Sequence, residues 1–429
     1  MASFSIPLTG LNADSRALNT IANNLANMNT TAFKSQSTNF ADLFYQQVGS
    51  TGSGDPIQVG AGVKVATNET DFSQGSINSN GNETNVALNG SGFFVVNPGN
   101  GSNEYTRAGN FSLTSNGDLV TTNGLSVMGY PAPNGVVNTN APLTPIHIPV
   151  GQVQQPQATT TLNMTVNLNA AAGSAAVPAQ VTVYDSLGTA HIATVTYTQT
   201  APNTWSYSAA LPAVDFASGV ATPVTGTLTF DTNGVLQSVT PITPVLSAVP
   251  IPVGTAPGDI SSIPLAFTGL TDAANDLNMS WNLLGSGNMP TVGQVSADSA
   301  VTATTQDGFT AGQYQDFAIG ADGTVTVSYD NGQKQNVGQL ALANVANVQG
   351  LEMLGNGDYA TTLASGTASV GVSGRAGLGV LQGGALEGSN VNISQEFSNL
   401  IIAQRAFEAN SKTVTTFDSV TQETINMIH

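Results

Sequence analysis

The side chains with the most capacity for chemistry are few and scattered. Histidine occurs at His147, His191 and His429, and cysteine is absent. Thiolate metal sites, disulfides and cysteine nucleophiles are therefore excluded together. The histidines lack the i, i+4 pairing of a helical zinc site, and His191 opens a strand-like run. Glycines at Gly374, Gly377 and Gly379 in "GRAGLG" have dinucleotide-fingerprint spacing. They follow no buried strand and open no helix, so a glycine-rich connector is the reading they support. Asp231 in "FDTNG" and Asp322 in "GADGT" lack the alternating acids and closing glutamate of a calcium loop, and read as turn residues. No G-x-S-x-G elbow presents a serine. Trp205, Tyr207 and Phe230 could line a ligand surface as in a lectin, but aromatics on strand-like runs more often fill a β core. No catalytic residue, cofactor site or metal site is expected, and the chain reads as a non-enzyme.

Composition sharpens this. The 429 residues carry 8 Lys and Arg against 26 Asp and Glu, a net charge of -18, and no basic residue lies between Arg107 and Lys334. Nucleic acid, which is bound through clustered cations, is excluded as a partner, and anionic lipid would be repelled. The first residues have no basic stretch or apolar core of signal-peptide length, and no run is long enough to span a bilayer. Export, if it occurs, is expected without a cleaved signal, and membrane insertion is not expected.

What must position these residues is legible in proline and periodicity. Of the 20 prolines, none lies between Pro7 and Pro56 and none follows Pro290. Helices are therefore expected at the two ends and improbable between them. Near the C-terminus, a cap-like Asn392 stands three residues before Gln395. Apolar residues then recur by heptads at Ile393, Leu400, Phe407, Val414 and Ile428, with Thr421 interrupting. Ala403 and Phe417 take the companion positions, and Phe397 widens the stripe. This predicts one helix of about 30 residues, roughly 45 Å long. Its counterpart near the N-terminus has Leu11, Leu18 and Leu25 a heptad apart, with Ile21 and Met28 on the next seam position, and closes near residue 29. The two ends are expected to pair as a coiled coil, made imperfect by Asp14, Asn410 and Thr424. Away from the seam both are so polar that other copies of the chain are expected to supply the remaining cover.

Between the ends the chain reads as β, with Asn-Gly hairpin signals at Asn116-Gly117 and Asn123-Gly124. A proline-rich stretch follows, then a second β set. The fold class is mainly β with paired terminal α-helices and two nested β-rich domains. The expected borders are 1–29 and 392–429 for the helical domain, with connectors at 30–69 and 357–391. A discontinuous inner β domain takes 70–148 and 304–356, and an inserted outer β domain takes 149–303.

At this point the segments resemble a family. "LTGLNADSRALNTIANNLANMNTTAFKS" at 8–35 resembles the N-terminal signature of the flagellar axial proteins, the rod and hook subunits of bacteria. "SNVNISQEFSNLIIAQRAFEANSKTV" is similar to their C-terminal signature. "LNGSGFFVV", "YTRAGNFSL" and "GALEGSNV" are similar to segments shared just inside the ends. Thr9 stands where the family often has Ser, and Ala32 where it often has Gly. Rod subunits are shorter and lack a large second β domain, whereas "VTVYDSLGTAHIATVTY", "NTWSY" and "LTFDTNGVLQS" resemble the outer domain of the hook branch.

The resemblance implies a structural subunit that polymerises into a short curved tube. Such a tube acts as a universal joint carrying torque from rod to filament, and encloses the export channel. It implies self-assembly through the seam residues Leu11, Leu18, Ile21, Leu25, Met28, Ile393, Leu400, Phe407, Val414 and Phe417. Phe4 and Leu8 are similar to an export element. The partners implied are further copies of the chain, a distal rod protein, a hook cap protein, a hook-filament junction protein and the flagellar type III export apparatus. The implied location is the hook, at the cell exterior. A distal rod protein and a secreted β-rich binding protein remain as alternatives.

Overall fold

The computed structural model describes residues 5–243, 250–256 and 259–427. The chain divides into two compact units. The first contains residues up to Val150, Asp316–Val327 and Lys334 onward; the second contains Gly151–Gln315 and Ser328–Gln333.

In the first unit, helix α1 spans Ser5–Ala26 and helix α2 spans Ile393–Met427. Pro7 is tolerated in α1 because it falls in the first turn, where N–H groups have no intrahelical partner. The α2 start is capped as its sequence suggests. The Asn392 side-chain oxygen accepts from the N–H groups of Ser394 (3.1 Å) and Gln395 (3.3 Å). Gln395 does not reach back to close a capping box; its amide instead donates to Asn399 along the helix.

Residues 36–70, expected as connecting chain, form a hairpin paired in two successive sections. Gln36–Asp42 pairs antiparallel with Val63–Thr70, with a bulge at Asn39/Phe40, and beyond them Gln46–Ser50 pairs with Pro56–Val59. The C-terminal approach to α2 is also paired rather than free. Val380–Gly383 lies antiparallel to Val86–Asn89, and Ala385–Glu387 to Ile77–Ser79. The main sheet of this unit sets Lys334–Leu340, Ser126–Pro131, Phe93–Asn97, Glu104–Thr106, Asp358–Ala360 and Glu352–Gly355 side by side in that order. Its core includes Phe93, Val95, Tyr105, Met128, Tyr130 and Tyr359. Phe72 and Phe93 meet edge-on with ring centroids 5.9 Å apart. Both Asn-Gly signals are tight turns, with Gly117 and Gly124 at the positive φ such turns need.

The second unit is built from two sheets around one core. Ala176–Tyr184, Ala190–Ala201, Thr204–Ala210, Val224–Phe230, Leu236–Thr243 and Ile251–Pro252 form an antiparallel meander. In the other sheet, Thr161–Asn169 pairs antiparallel with Ala300–Gln306 and parallel with Leu277–Asn282 and Val292–Val295. Strict alternation of buried and half-buried residues along Thr204–Ala210 and Val224–Phe230 puts one face of the meander into the core. Pro178 and Pro264 lie in the strands at the sheet edges, where a missing N–H costs no ladder bond. Trp205, Trp281, Tyr197 and Tyr207 are its largest fully buried side chains. The aromatics that a ligand surface would need exposed are thus inside.

Candidate self-assembly site at the paired ends

Helices α1 and α2 run antiparallel. Asn410 lies against Gly10 and donates to Asp14 Oδ2 at 2.8 Å, while Glu396 approaches Asn24 at the other end of α1. Two of the polar interruptions of the seam are therefore each other's partner, a bond between side chains at matched positions that marks one register. Gly10 has a steric reason to be glycine, since a Cβ there would sit 2.7 Å from Asn410 Nδ2.

Among the expected seam residues, Ile21 is buried, and Leu11, Leu18, Leu25, Leu400, Phe407, Val414 and Phe417 are half-buried. Met28 lies in the turn beyond α1 and Ile393 at the first turn of α2; both are exposed. Leu8 is 60% exposed, and Phe4, Ile428 and His429 fall outside the described residues.

The second face of α1, too polar for an ordinary core, rests on the hairpin 36–70. Asn24 is fully buried, donating to Gln36 O (2.8 Å) and accepting from Gln36 N (3.0 Å). Thr20 meets Thr38 at 2.9 Å, and Val63 N donates to Thr9 Oγ1 at 3.2 Å. Part of the cover expected from other copies thus comes from the chain itself. The hydroxyl that Thr9 shares with Ser is the atom in use. Ala32 is buried with φ 54°, a left-handed conformation that favours glycine.

What stays open is the outer side of α2. Among its described residues only Ala403 is buried. Ile393, Phe397, Ile401, Ile402, Val420, Ile425 and Met427 are all exposed. The tip of the 36–70 hairpin adds Phe44, Tyr45, Val48, Ile57 and Val59, with Phe44 92% exposed. An apolar surface of this extent on a folded chain indicates an interface.

The residues that suggested other chemistry are engaged locally. Asp231 accepts from the N–H groups of Asn233 and Val235, and Asp322 from Thr324, closing turns. The segment at Gly374–Gly379 turns between short strands, with Gly379 packed so that a Cβ would lie 2.4 Å from Asn89 O. His147 contacts exposed Asp118. His191 is different, and nothing in the spacing marked it. It is 4% exposed, with Nε2 3.2 Å from Asp185 Oδ2 and Nδ1 3.0 Å from Asp215 Oδ2. Burial alone would lower its pKa, but the hydrogen bonds to Asp185 and Asp215 outweigh it and hold the pKa above the usual value. Burial likewise pushes Asp185 up. A hydrogen bond shared with Asp272, one from His191, and the N–H groups of Thr189 and Leu187 hold it at about 2. Asp185, His191 and Asp272 have the composition of a cation site. Asp185 and Asp272 also hold local bonds, Asp185 accepting from Leu187 N and Thr189 N and Asp272 from Thr189 Oγ1, so the cluster is tied into the surrounding turn.

Four family models match in chain order: "Flagella basal body rod protein" at 6–34, "Flagellar hook protein FlgE/F/G D1 domain" at 87–170, "Flagellar basal body protein FlaE D2 domain" at 169–309 and "Flagellar basal body rod FlgEFG protein C-terminal" at 382–427. The flagellar hook protein FlgE of Salmonella typhimurium is 36% identical over 440 residues, covering 99% of this chain and 100% of that protein. FlgE of Escherichia coli K12 is 34% identical, covering 99% of each. FlgE of Treponema pallidum is 32% identical, covering 100% of this chain and 99% of its own length. A crystal structure of Helicobacter pylori flagellar hook protein FlgE2 shares the fold, with a TM-score of 0.54 and 16% identity over 71% of this chain and 99% of that one.

Proposed function

This chain belongs to the flagellar hook protein family and is a structural subunit of the hook, and from that premise we propose how its two ends build the polymer. The paired helices α1 and α2 form the inner wall of a tube around an export channel. The uncovered face of α2 packs on neighbouring copies. The observation that carries this reading is that α2, with 35 residues, buries only Ala403 while exposing six large apolar side chains besides Ile393. At about 1.5 to 3 kcal/mol for each such side chain fully buried, covering them is a large driving force for association.

In this reading the seam residues Leu11, Leu18, Ile21, Leu25, Leu400, Phe407, Val414 and Phe417 hold each subunit's pair together, and Met28 and Ile393 extend it at one end. The two β units stand outward on the tube. Their weakly charged, polar surfaces exchange contacts at low cost while the tube bends and turns as a universal joint. Proposed partners beyond further copies are a distal rod protein, a hook cap protein, a hook-filament junction protein and the type III export apparatus. The proposed location is the cell exterior, reached without a cleaved signal, with Phe4 and Leu8 as the export element. No specific observation favours the rod alternative, and the aromatics that suggested ligand binding, Trp205, Tyr207 and Phe230, are buried in the core of the second unit.

Electron microscopy of the concentrated full chain beside a version lacking residues 392–427 tests the proposal. Tubes from the first and none from the second are expected. Tubes from both would refute assembly through α2.

A further inference from the structure

Only 8 basic residues are present in the whole chain, yet two of them converge on one buried carboxylate. Lys34 Nζ lies 2.7 Å from Glu387 Oε1 and also donates to Ser73 O at 2.7 Å. Arg107 Nε lies 3.3 Å from Glu387 Oε2, and its Nη1 donates to Gly90 O (2.7 Å) and Gly92 O (2.8 Å). Glu387 Oε1 accepts a further bond from Gly75 N at 2.9 Å. The side chains of Lys34, Arg107 and Glu387 are 1%, 5% and 0% exposed. Burial lowers the pKa of Lys34, and Glu387, with Asp71 nearby, opposes it.

These three residues belong to three of the segments set apart in the sequence, "NTTAFKS", "EYTRAGNFSL" and "GALEGSNV". Lys34 follows closely on the end of α1, and Glu387 stands just ahead of α2. The backbone around them is fastened as well. Ala32 N donates to Glu387 O (2.9 Å), Ser35 N to Asn390 Oδ1 (2.8 Å), and Gly388 N to Ser76 O (2.7 Å). Gly75 permits this crossing, since a Cβ there would lie 2.1 Å from Gly388 O.

We infer that Lys34, Arg107 and Glu387 form a latch that couples both terminal helices to the β body of the first unit. Without Glu387, Lys34 and Arg107 would each be a buried charge lacking that ion pair, so the three segments dock together or not at all. A buried ion cluster is a poor source of net stability but specifies one arrangement of the groups around it. Here the arrangement is the exit direction of α1 and the entry direction of α2, the two points through which force on the helices reaches the sheets. The inference goes beyond the polymer reading and needs no polymer for its test.

The test is hydrogen exchange by mass spectrometry on the dilute full chain with Glu387→Gln, which keeps shape and removes the charge. Exchange in α1, α2 and residues 385–391 is expected to speed by at least tenfold, while peptides from Phe93–Asn97, Ser126–Pro131 and the second unit keep their protection. Unchanged protection of the helices would overturn the latch, as would helices already unprotected in the natural chain. Loss spread evenly over the first unit would overturn it too, reducing the triad to general stability. If Glu387→Gln fails to fold, Lys34→Met leaves the Arg107–Glu387 pair intact. It should then give the same regional pattern at a smaller fold-change, and an even or absent effect refutes the latch in that variant as well.

Discussion

Replacing His191 by Gln should destabilise the second unit and remove a pH dependence that the natural chain shows. A histidine whose folded pKa lies above 6.5 holds its proton more tightly in the folded state. Its contribution is therefore complete below about pH 6.5 and is lost as pH rises through the folded value. Asp185 has the opposite sense: depressed from 3.8 to about 2, it contributes above pH 3.8 and loses that contribution as pH falls toward 2. The unit should be most stable between roughly pH 4 and 6.5. The Asp185 shift corresponds to about 2 kcal/mol at 1.36 kcal/mol per unit, reduced toward 1 because the cluster opens to water at Asp215. Removing the imidazole leaves Asp185, 0% exposed, without the His191 hydrogen bond, a loss of about 2 to 4 kcal/mol. The structure also supplies the probe. The chain's 2 tryptophans, Trp205 and Trp281, both lie in the core of this unit, so urea unfolding followed by their fluorescence reports on it alone. The midpoint should fall by about 1 M or more in His191→Gln at pH 6. In the natural chain it should decline above pH 6.5, and in the variant stay level. A level natural midpoint from pH 6 to 8.5, or the same decline in the variant, would refute the argument.

Three further outcomes are expected. Phe397→Asp with Ile401→Asp, both on the open side of α2, should abolish tube formation by electron microscopy while leaving monomer unfolding within about 0.5 kcal/mol, since neither side chain is buried. Gly10→Ala gains about 1 kcal/mol of helix propensity, but its Cβ displaces the Asn410 amide and breaks the bond to Asp14. Faster exchange in α1 is expected, with recovery when Asn410→Ala is added; slower exchange in the single variant would contradict the packing. Ala32→Gly relieves a left-handed alanine and should stabilise the first unit by about 0.5 to 1 kcal/mol in chemical unfolding followed by helix circular dichroism. A loss of stability there would mean that the alanine methyl packs better than its backbone strains.

Much of the architecture could be read from local patterns, because periodicity and turn chemistry act within a few residues. The heptads of Leu11, Leu18 and Leu25 and of Leu400, Phe407 and Val414 placed both helices. The alternation around Trp205 and Tyr207 placed strands with their aromatics inward. What stayed hidden needed knowledge of who faces whom. Asp14 and Asn410 looked like two flaws in a seam and are one hydrogen bond. The hairpin 36–70 reads as a connector because its strands carry almost no buried residue, so the amphipathic signal is missing. Only its backbone pairing and the polar face of α1 reveal it. Lys34, Arg107 and Glu387 sit in segments distinguished by resemblance, yet nothing within any one segment says its charge is buried. His191 escaped for a related reason: its partner Asp215 lies in a turn 24 residues further on.

The pairing of α1 with α2 joins nearly the first residues of the chain to nearly the last. Such contacts carry the largest loop-closure cost and form late. A chain made from its N-terminus onward cannot cover the seam face of α1 until α2 exists, nor close the cluster at Lys34 and Arg107 until Glu387 has been made. A product cut short before residue 393, even one with both β units folded, would keep the seam face of α1 uncovered and lack α2. In the proposed polymer the fold thereby screens its own subunits, since a product lacking α2 would have no such surface to offer its neighbours.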